Sequence, residues 1–348
     1  MQALTVIPGQ AGSARVEEVA APLPSDGAIL ARTLALGVCG TDREIAVGAY
    51  GWAPPGRQRL ILGHESLGRV ESAPAGSGFA AGDLVVGIVR RPDPEPCAPC
   101  AAGEWDMCRN GRYTERGIKE RDGYGAQSFR IEPDFAVRVD PSLRRTAVLL
   151  EPTSVVAKAW DHIDRLLAHA RWQPCRVLVT GAGPIGLLAA LLGRQRGLEV
   201  HVLDRLMSGP KPQLVHDLGG TYHAGSLERL GFAPDIVLEC TGAASILVTV
   251  LGLAAPDGIV CLAGVSSGGH KLPIDLGLVN RDLVLHNTVV FGSVNANRAH
   301  YEAAAAALAR ADPDWLQRLI SRRVPLARWS EALERRPDDV KVVIDFTL

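Results

Sequence analysis

The stretch "RVLVTGAGPIGLLAALLGRQRGLEVHVLD", Arg176 to Asp204, decides the fold. A short apolar, β-branched run leads straight into three glycines, a long apolar helical pattern follows, and a second strand-like run closes on an acid. Between a strand and a helix, Gly181 permits a tight turn, Gly183 lets a pyrophosphate approach the backbone, and Gly186 lets helix and strand pack closely. The phosphates then rest on the positive end of the helix. Asp204, about 20 residues downstream, is placed to accept hydrogen bonds from the adenosine ribose hydroxyls. A glycine turn serving another nucleotide, such as a methyl donor, is the competing reading.

Further on, "DIVLEC", "GIVCLAG" and "TVVFGSV" (residues 235–240, 258–264 and 288–294) repeat the strand texture. Strands alternating with helices imply a parallel sheet covered on both faces. The first part of the chain differs: "GAILARTLALG", "LILGHESLGRV", "GDLVVGIV" and "GAQSFRI" are short strand-like runs between Gly and Pro turns, a mostly β pattern. "VLLEPTSVVAKAWDHIDRLL" joins the two regions as a helix expected to start after Pro152. An Ala-rich helix beyond Asn295 and "DVKVVIDF" are expected to return to the first domain. A chain of 348 residues exceeds what one core usually supports. The expected organisation is α/β, with a mostly β domain over 1–154, a doubly wound domain over 155–295 and a returning segment over 296–348.

A formal net charge of −1 supplies no broad positive field, so neither nucleic acid nor an anionic membrane surface is an expected partner. A small neutral molecule fits better. The start, "MQALTVIPGQ", lacks the basic head and apolar core of a signal peptide, and the longest uncharged apolar run, Val177 to Gly193, is broken by glycines. A cytoplasmic protein is expected. Cys175, Cys240 and Cys261, in or beside apolar strands, read as buried packing residues.

The remaining cysteines carry chemistry. Cys39, in "GVCGTD", can be joined by "GHE", where His64 and Glu65 are adjacent. Neighbouring side chains on an extended segment point in opposite directions, so one of the two is expected to reach a shared centre, and His64 is the better choice. Glu151, in "LLEPTS", is an acid among apolar residues, costly to bury unpaired. One Cys, one His and one Glu make three ligands, the number a catalytic zinc takes when it keeps a position for substrate. A core thiol, a satisfied histidine and a helix-start carboxylate are the bland alternatives. Cys97, Cys100 and Cys108 form a second cluster in a Pro-rich segment. Structural zinc takes four ligands; Asp93 is close enough in sequence to be the fourth, with Glu95 and Asp106 as competitors. Three reduced thiols without metal is the other reading.

Taken together, "GVCGTD", "GHE", the clustered cysteines, "LLEPTSVVAKAW" and "GAGPIG" resemble the zinc-dependent medium-chain alcohol dehydrogenases over nearly the whole chain. "RRPDPEPCAPCAAGEWDMCRNGRYTERGIKERDGY", "EPTSVVAKAW" and "VVFGSVNANRAHY" are similar to the glucose dehydrogenase branch. The resemblance implies a GroES-like catalytic domain, a Rossmann domain and zinc on Cys39, His64 and Glu151, with Glu65 close behind them or as an alternate ligand. It implies oxidation of an aldose C1 hydroxyl, most simply D-glucose to gluconolactone, with hydride transfer to NAD or NADP. Thr41 would carry the proton away, and Glu115 and Asn295 would hold sugar hydroxyls, Asn295 also lying near the nicotinamide. Pro184, Ile185 and Thr241 would join the glycines, Asp204 and Arg205 around the cofactor. A homo-oligomer, dimer or tetramer, is implied as well.

Two features depart from the family pattern. The first of its four lobe cysteines is Pro94 here, which leaves Asp93 as the inferred ligand. After the second Rossmann strand the chain has "LDRLMSGPK", in which Asp204 repels a 2′-phosphate and Arg205 attracts one. Another polyol or amino-alcohol dehydrogenase is the nearest alternative. A redox-cofactor sensor with only structural zinc would leave Cys39, His64 and Glu151 unexplained.

Overall fold

The computed structural model describes residues 1–227, 230–266, 268 and 272–348. They divide into two compact units, Met1–Ser154 with Asn295–Leu348, and Val155–Val294. Asn295 thus falls in the first unit.

In the first unit the long strand Ile29–Val38 is the organiser. It pairs antiparallel with Glu65–Ser72 on one side and with the C-terminal strand Lys341–Asp345 on the other, and Ser128–Ile131 also pairs with its early residues. The sheet extends outward to Leu84–Gly87 and Ala136–Val139 at one edge and to Ile320–Pro325 at the other. Leu36, Val38, Ile45, Leu62, Val342 and Ile344 pack in one core beneath it. Each such side chain, fully withdrawn from water, contributes roughly 1.5–3 kcal/mol.

The run expected as one strand over residues 60–70 is split. Leu60–Ile61 pairs with the N-terminal strand Gln2–Val6, while Glu65–Ser72 joins the large sheet. The break falls at Gly63, whose φ of 94° lies in the left-handed region that favours glycine, and the chain bends again at His64.

The second unit holds a six-stranded parallel sheet in the order Thr221–Ala224, Glu199–Asp204, Arg176–Thr180, Ile236–Glu239, Ile259–Leu262, Val289–Gly292. The chain winds outward in both directions from Arg176–Thr180. The strand order therefore reverses between Arg176–Thr180 and Ile236–Glu239, and ligands of such sheets bind beyond the carboxyl ends of the strands at that point. The connecting helix runs Leu150–Leu167, so it begins before Pro152. A proline is tolerated in a first turn, where its missing N–H has no partner to lose. Cys261 is buried and Cys240 half-buried, but Cys175 is exposed, because it precedes its strand and only its backbone is anchored, the N–H donating to Asp235 Oδ2 at 2.7 Å.

Candidate metal centre and dinucleotide loop

Cys39 ends the long strand and caps the helix Gly40–Ala46: its Sγ accepts the Thr41 N–H at 3.2 Å, and the Cys39 N–H donates to Asp42 Oδ2 at 2.8 Å. This reciprocal cap fixes the thiol and aims the other oxygen of Asp42 at His64, with Oδ1 lying 3.4 Å from Nδ1. On its far side the imidazole places Nε2 3.1 Å from Cys39 Sγ. Zinc ligands at about 2.0–2.3 Å in a tetrahedron stand roughly 3.5 Å apart, near that spacing.

Glu65 belongs to the same group, and the ligand atoms of Cys39, His64 and Glu65 all lie within 4.8 Å of one another. The expectation that only one of the adjacent pair reaches the centre fails here. Alternation holds for extended backbone, whereas the bend at Gly63 and His64 turns both side chains the same way. Both oxygens of Glu65 accept from Lys341 Nζ at 2.6 Å. Glu151 lies outside this tight group but within reach of its field. Burial pushes its carboxyl up to about 7, against the pull of His64 and with the push of Glu65. For His64 burial opposes charge, yet Cys39 and Asp42 outweigh it and hold the imidazole well above its ordinary value. Thr41 sits half-buried in the first turn of the helix.

Glu115 is buried on the strand Thr114–Arg116. Its Oε1 accepts from Arg90 Nη2 at 2.9 Å, from Arg90 Nε at 3.1 Å and from Asn295 Nδ2 at 2.7 Å. Asn295 adopts φ 63°, a conformation asparagine tolerates better than most residues, and so turns its amide onto that carboxylate.

In the second cluster Cys97, Cys100 and Cys108 converge, again with ligand atoms within 4.8 Å. The amide N–H of Arg109 holds the Cys97 thiol down to about 7, whereas burial pushes Cys100 up to about 11. The carboxylates proposed as a fourth ligand are turned elsewhere. Asp93 accepts the Glu95 N–H at 2.8 Å and pairs with Arg112 at 3.2 Å, Glu95 also pairs with Arg112, and Asp106 accepts from Asn297 Nδ2 at 2.9 Å.

In the second unit Gly181 has φ 90°, and a Cβ on it would stand 2.9 Å from Thr241 Cγ2 across the point where the strand order reverses. A Cβ on Gly186 would meet the Gly181 carbonyl oxygen at 1.8 Å, while nothing lies within 4 Å of the corresponding place at Gly183. The loop is thus tight at its base and open where a phosphate would approach. Gly183 caps the helix Pro184–Gln195, with Pro184 and the half-buried Ile185 in its first turn. Asp204 accepts from Ala182 N–H at 2.7 Å and from Leu206 N–H at 3.2 Å, with Lys211 Nζ at 3.7 Å. Arg205 is exposed.

Four residues of this machinery escape a reading of the sequence as site residues: Asp42, Lys341, Arg90 and Glu239. Glu239 is fully buried and accepts the N–H groups of Thr241 and Gly242 at 2.7 and 3.2 Å, which shapes the loop facing Gly181. A charged residue inside an otherwise apolar strand, as in "DVKVVIDF" or "DIVLEC", was the available signal.

Comparison with known proteins agrees with this geometry. A family profile described as "Glucose dehydrogenase C-terminus" matches residues 144–346, and one described as "Alcohol dehydrogenase GroES-like domain" matches residues 25–141. The chain is 41% identical to a glucose 1-dehydrogenase of Methanocella arvoryzae, with 99% of each chain covered. It is likewise 41% identical to the glucose 1-dehydrogenase of Thermoproteus tenax over 99% of both chains. Among solved structures it superposes on Haloferax mediterranei glucose dehydrogenase in complex with NADP, Zn and gluconolactone with a TM-score of 0.91, at 31% identity and over 100% of both chains.

Proposed function

This chain belongs to the glucose dehydrogenase branch of the zinc-dependent medium-chain alcohol dehydrogenases, and from that premise we propose its reaction: oxidation of an aldose at the C1 hydroxyl, D-glucose to gluconolactone foremost, with hydride transfer to NAD(P). The observation that carries the reading is the convergence of Cys39, His64 and Glu65, with Asp42 orienting the imidazole, in a chain that also carries the dinucleotide loop.

The donor set fits zinc. A thiolate sulfur, an imidazole nitrogen and a carboxylate oxygen suit its borderline-soft character, and among the described residues the buried His64 Nδ1 and Asp42 Oδ1 have no hydrogen-bond partner, lying 3.4 Å from each other. Cys39 and His64 would hold the ion with Glu151 as the third protein ligand. Glu65, already balanced by Lys341, stands as the alternate carboxylate. Bound there, zinc supplies a Lewis acid for the substrate hydroxyl oxygen, and NAD(P) accepts the hydride. Asp42 keeps the His64 proton on Nδ1 and so leaves the Nε2 lone pair to the metal. Thr41, in the first turn of the same helix, would relay the C1 hydroxyl proton, accepting it as its own hydroxyl proton passes on to water. Glu115 keeps its second oxygen for a sugar hydroxyl, since Arg90 and Asn295 occupy the first. A carboxylate oxygen offered to a second hydroxyl favours a sugar over a simple alcohol.

Cys97, Cys100 and Cys108 would hold a structural zinc, for which Asp93 must exchange Arg112 for the ion. A homo-oligomer is supported by the second unit. Val289–Gly292 is the last strand of its sheet, and the helix Leu276–His286 has no buried residue and exposes Leu276, Leu278, Val284 and Leu285. Among the described residues no helix is long and apolar enough to cross a membrane.

A panel of aldoses and polyols, assayed with NAD and NADP separately, tests the reaction. D-glucose turnover that chelation abolishes and zinc restores is expected. Turnover of simple alcohols alone, or activity at full strength without metal, would overturn it.

A further inference from the structure

Aromatic residues make up only 5% of the chain. Among the described residues two aromatic side chains are exposed, Tyr50 at 42% and Trp52 at 47%. They stand together, ring centroids 5.1 Å apart and planes at 74°. Together they form a small aromatic patch at the surface.

The backbone ties this pair to the catalytic unit's site from two sides. The segment follows directly from the helix that Cys39 caps, with the Ala49 N–H donating to Glu44 O at 2.9 Å and a Cβ on Gly51 only 3.0 Å from Ile45. On the other side the Trp52 N–H donates to Ile118 O at 2.9 Å and the Glu120 N–H to Trp52 O at 3.0 Å. This pins Trp52 to the segment that carries Glu115. That segment in turn lies on the backbone beside His64, since a Cβ on Gly117 would stand 2.5 Å from Gly63 O. Tyr50 also feels the site: burial first, then the Glu115 carboxylate, pushes its phenol upward.

We propose that Trp52, supported by Tyr50 in a T-shaped contact, offers a stacking platform for the C–H face of the aldose whose hydroxyl rim Glu115 and Asn295 hold. A pyranose with equatorial hydroxyls carries its polar groups around the edge and axial C–H groups on its faces. Those faces match the negative face of an aromatic ring, while the edge requires hydrogen-bonding side chains. The chain supplies both on adjoining segments: rings at 50 and 52, acid and amide at 115 and 295. Trp52 carries most of the area. The inference rests on the sugar-oxidising reading of the site.

The test uses the zinc-loaded full chain with its cofactor and compares Tyr50→Ala, Trp52→Leu and Trp52→Phe. The KM for D-glucose is expected to rise about tenfold in Trp52→Leu and roughly threefold in Tyr50→Ala, with smaller changes in kcat, and Trp52→Phe to recover most of the affinity. Glucose added without oxidised cofactor should change the tryptophan fluorescence of the parent chain and leave that of Trp52→Phe largely unmoved. An unchanged KM in Trp52→Leu overturns the platform. Unchanged KM together with loss of the oligomer in light scattering overturns it too, and gives the pair to a contact between copies. A parent chain that neither turns over nor binds any aldose refutes the functional reading itself; turnover without the Trp52 effects refutes only the platform.

Discussion

Lys341 and Glu65 form a buried ion pair across the strand that separates them: the ammonium lies 2.6 Å from both carboxylate oxygens, and the two side chains are 1% and 2% exposed. Glu65 belongs to Glu65–Ser72 and Lys341 to Lys341–Asp345, and Ile29–Val38 runs between them. The crossing is made at Gly37, the register partner of Glu65, where a Cβ would stand 1.9 Å from Glu65 Oε2. A glycine in the middle strand, an acid on one neighbour and a lysine on the other thus settle where the carboxylate beside His64 points.

Replacing Lys341 by Met leaves Glu65 buried and unpaired. Removing one partner of a buried pair costs roughly 3–5 kcal/mol, so a large drop in denaturation midpoint is expected in Lys341→Met. Adding Glu65→Gln should recover much of it, because the stranded charge is gone. Chemical denaturation of the single and double variants checks this: equal losses in both would mean that the lysine stem, not its charge, supports the sheet.

At Gly37 a methyl group must displace the pinned carboxylate. Gly37→Ala is expected to lower the catalytic zinc content and activity more than it lowers stability, since Glu65 sits beside Cys39 and His64. Metal analysis after dialysis against free zinc, beside a melting curve, separates the two. Full zinc occupancy with an unaltered KM would show that the side chain steps aside harmlessly.

The legibility of the site follows from sequence distance. "GAGPIG" identifies its loop because strand, turn and helix are contiguous, and the observed Arg176–Thr180 and Pro184–Gln195 flank Gly181 and Gly183, with Gly186 inside the helix. Cys39 and Asp42 were visible as neighbours, yet the role of Asp42 depends on His64 being folded back onto it. Lys341 is 276 residues from its partner, and no local pattern links them. The returning C-terminal segment was expected only in outline for the same reason: its pairing of Val342 with Val38 is a long-range register. The strand period alone hides how Glu65 joins Cys39 and His64, because one glycine bends the chain just before it, whereas the family resemblance already pointed to it.

Asp42 places Oδ1 3.4 Å from His64 Nδ1 and accepts the Cys39 N–H at the start of the helix Gly40–Ala46, and we propose that it orients the imidazole. Asp42→Ala should therefore weaken zinc binding by about ten- to a hundredfold, the usual effect of losing a carboxylate behind a histidine ligand. Asp42→Asn keeps an acceptor for the Cys39 N–H and should fall between. Competition with a chromogenic chelator measures this; an affinity for zinc unchanged in Asp42→Ala would mean that His64 is held without it.

Acid stability isolates another group away from the metal. Burial raises Glu132, but hydrogen bonding and charge from Arg91, and the charge of Arg121, overcome it and hold its carboxyl at about 2 against an ordinary 4.5. A carboxyl lowered in the folded state stabilises above its unfolded value, so the contribution is complete above about 4.5 and is lost as the pH falls toward about 2. Glu132→Gln should accordingly be less stable at neutral pH and show a shallower loss between those limits. Parallel unfolding curves for parent and variant across that window would place the acid sensitivity elsewhere.

The Asp204 carboxylate is already shared among the Ala182 and Leu206 N–H groups and Lys211. The Ala182 bond fixes the glycine loop from behind, and we propose a second duty for this acid, to offer charge to the ribose diol. A charge-assisted hydrogen bond is worth roughly 1.5–3 kcal/mol, so Asp204→Ala should lower kcat/KM for NAD by about one to two powers of ten. NADP should lose less, because the repulsion of its 2′-phosphate disappears with the carboxylate while the exposed Arg205 remains to meet it. Asp204→Asn separates the duties. Its side-chain oxygen can still accept the Ala182 N–H and keep the loop, while the negative charge is gone, so NADP efficiency should rise relative to NAD with less overall loss than in the alanine variant. Steady-state kinetics with each cofactor at saturating glucose decides the matter. A ratio of NAD to NADP efficiency that stays fixed in both variants would mean that Asp204 serves only the loop and that the ribose is read by another group.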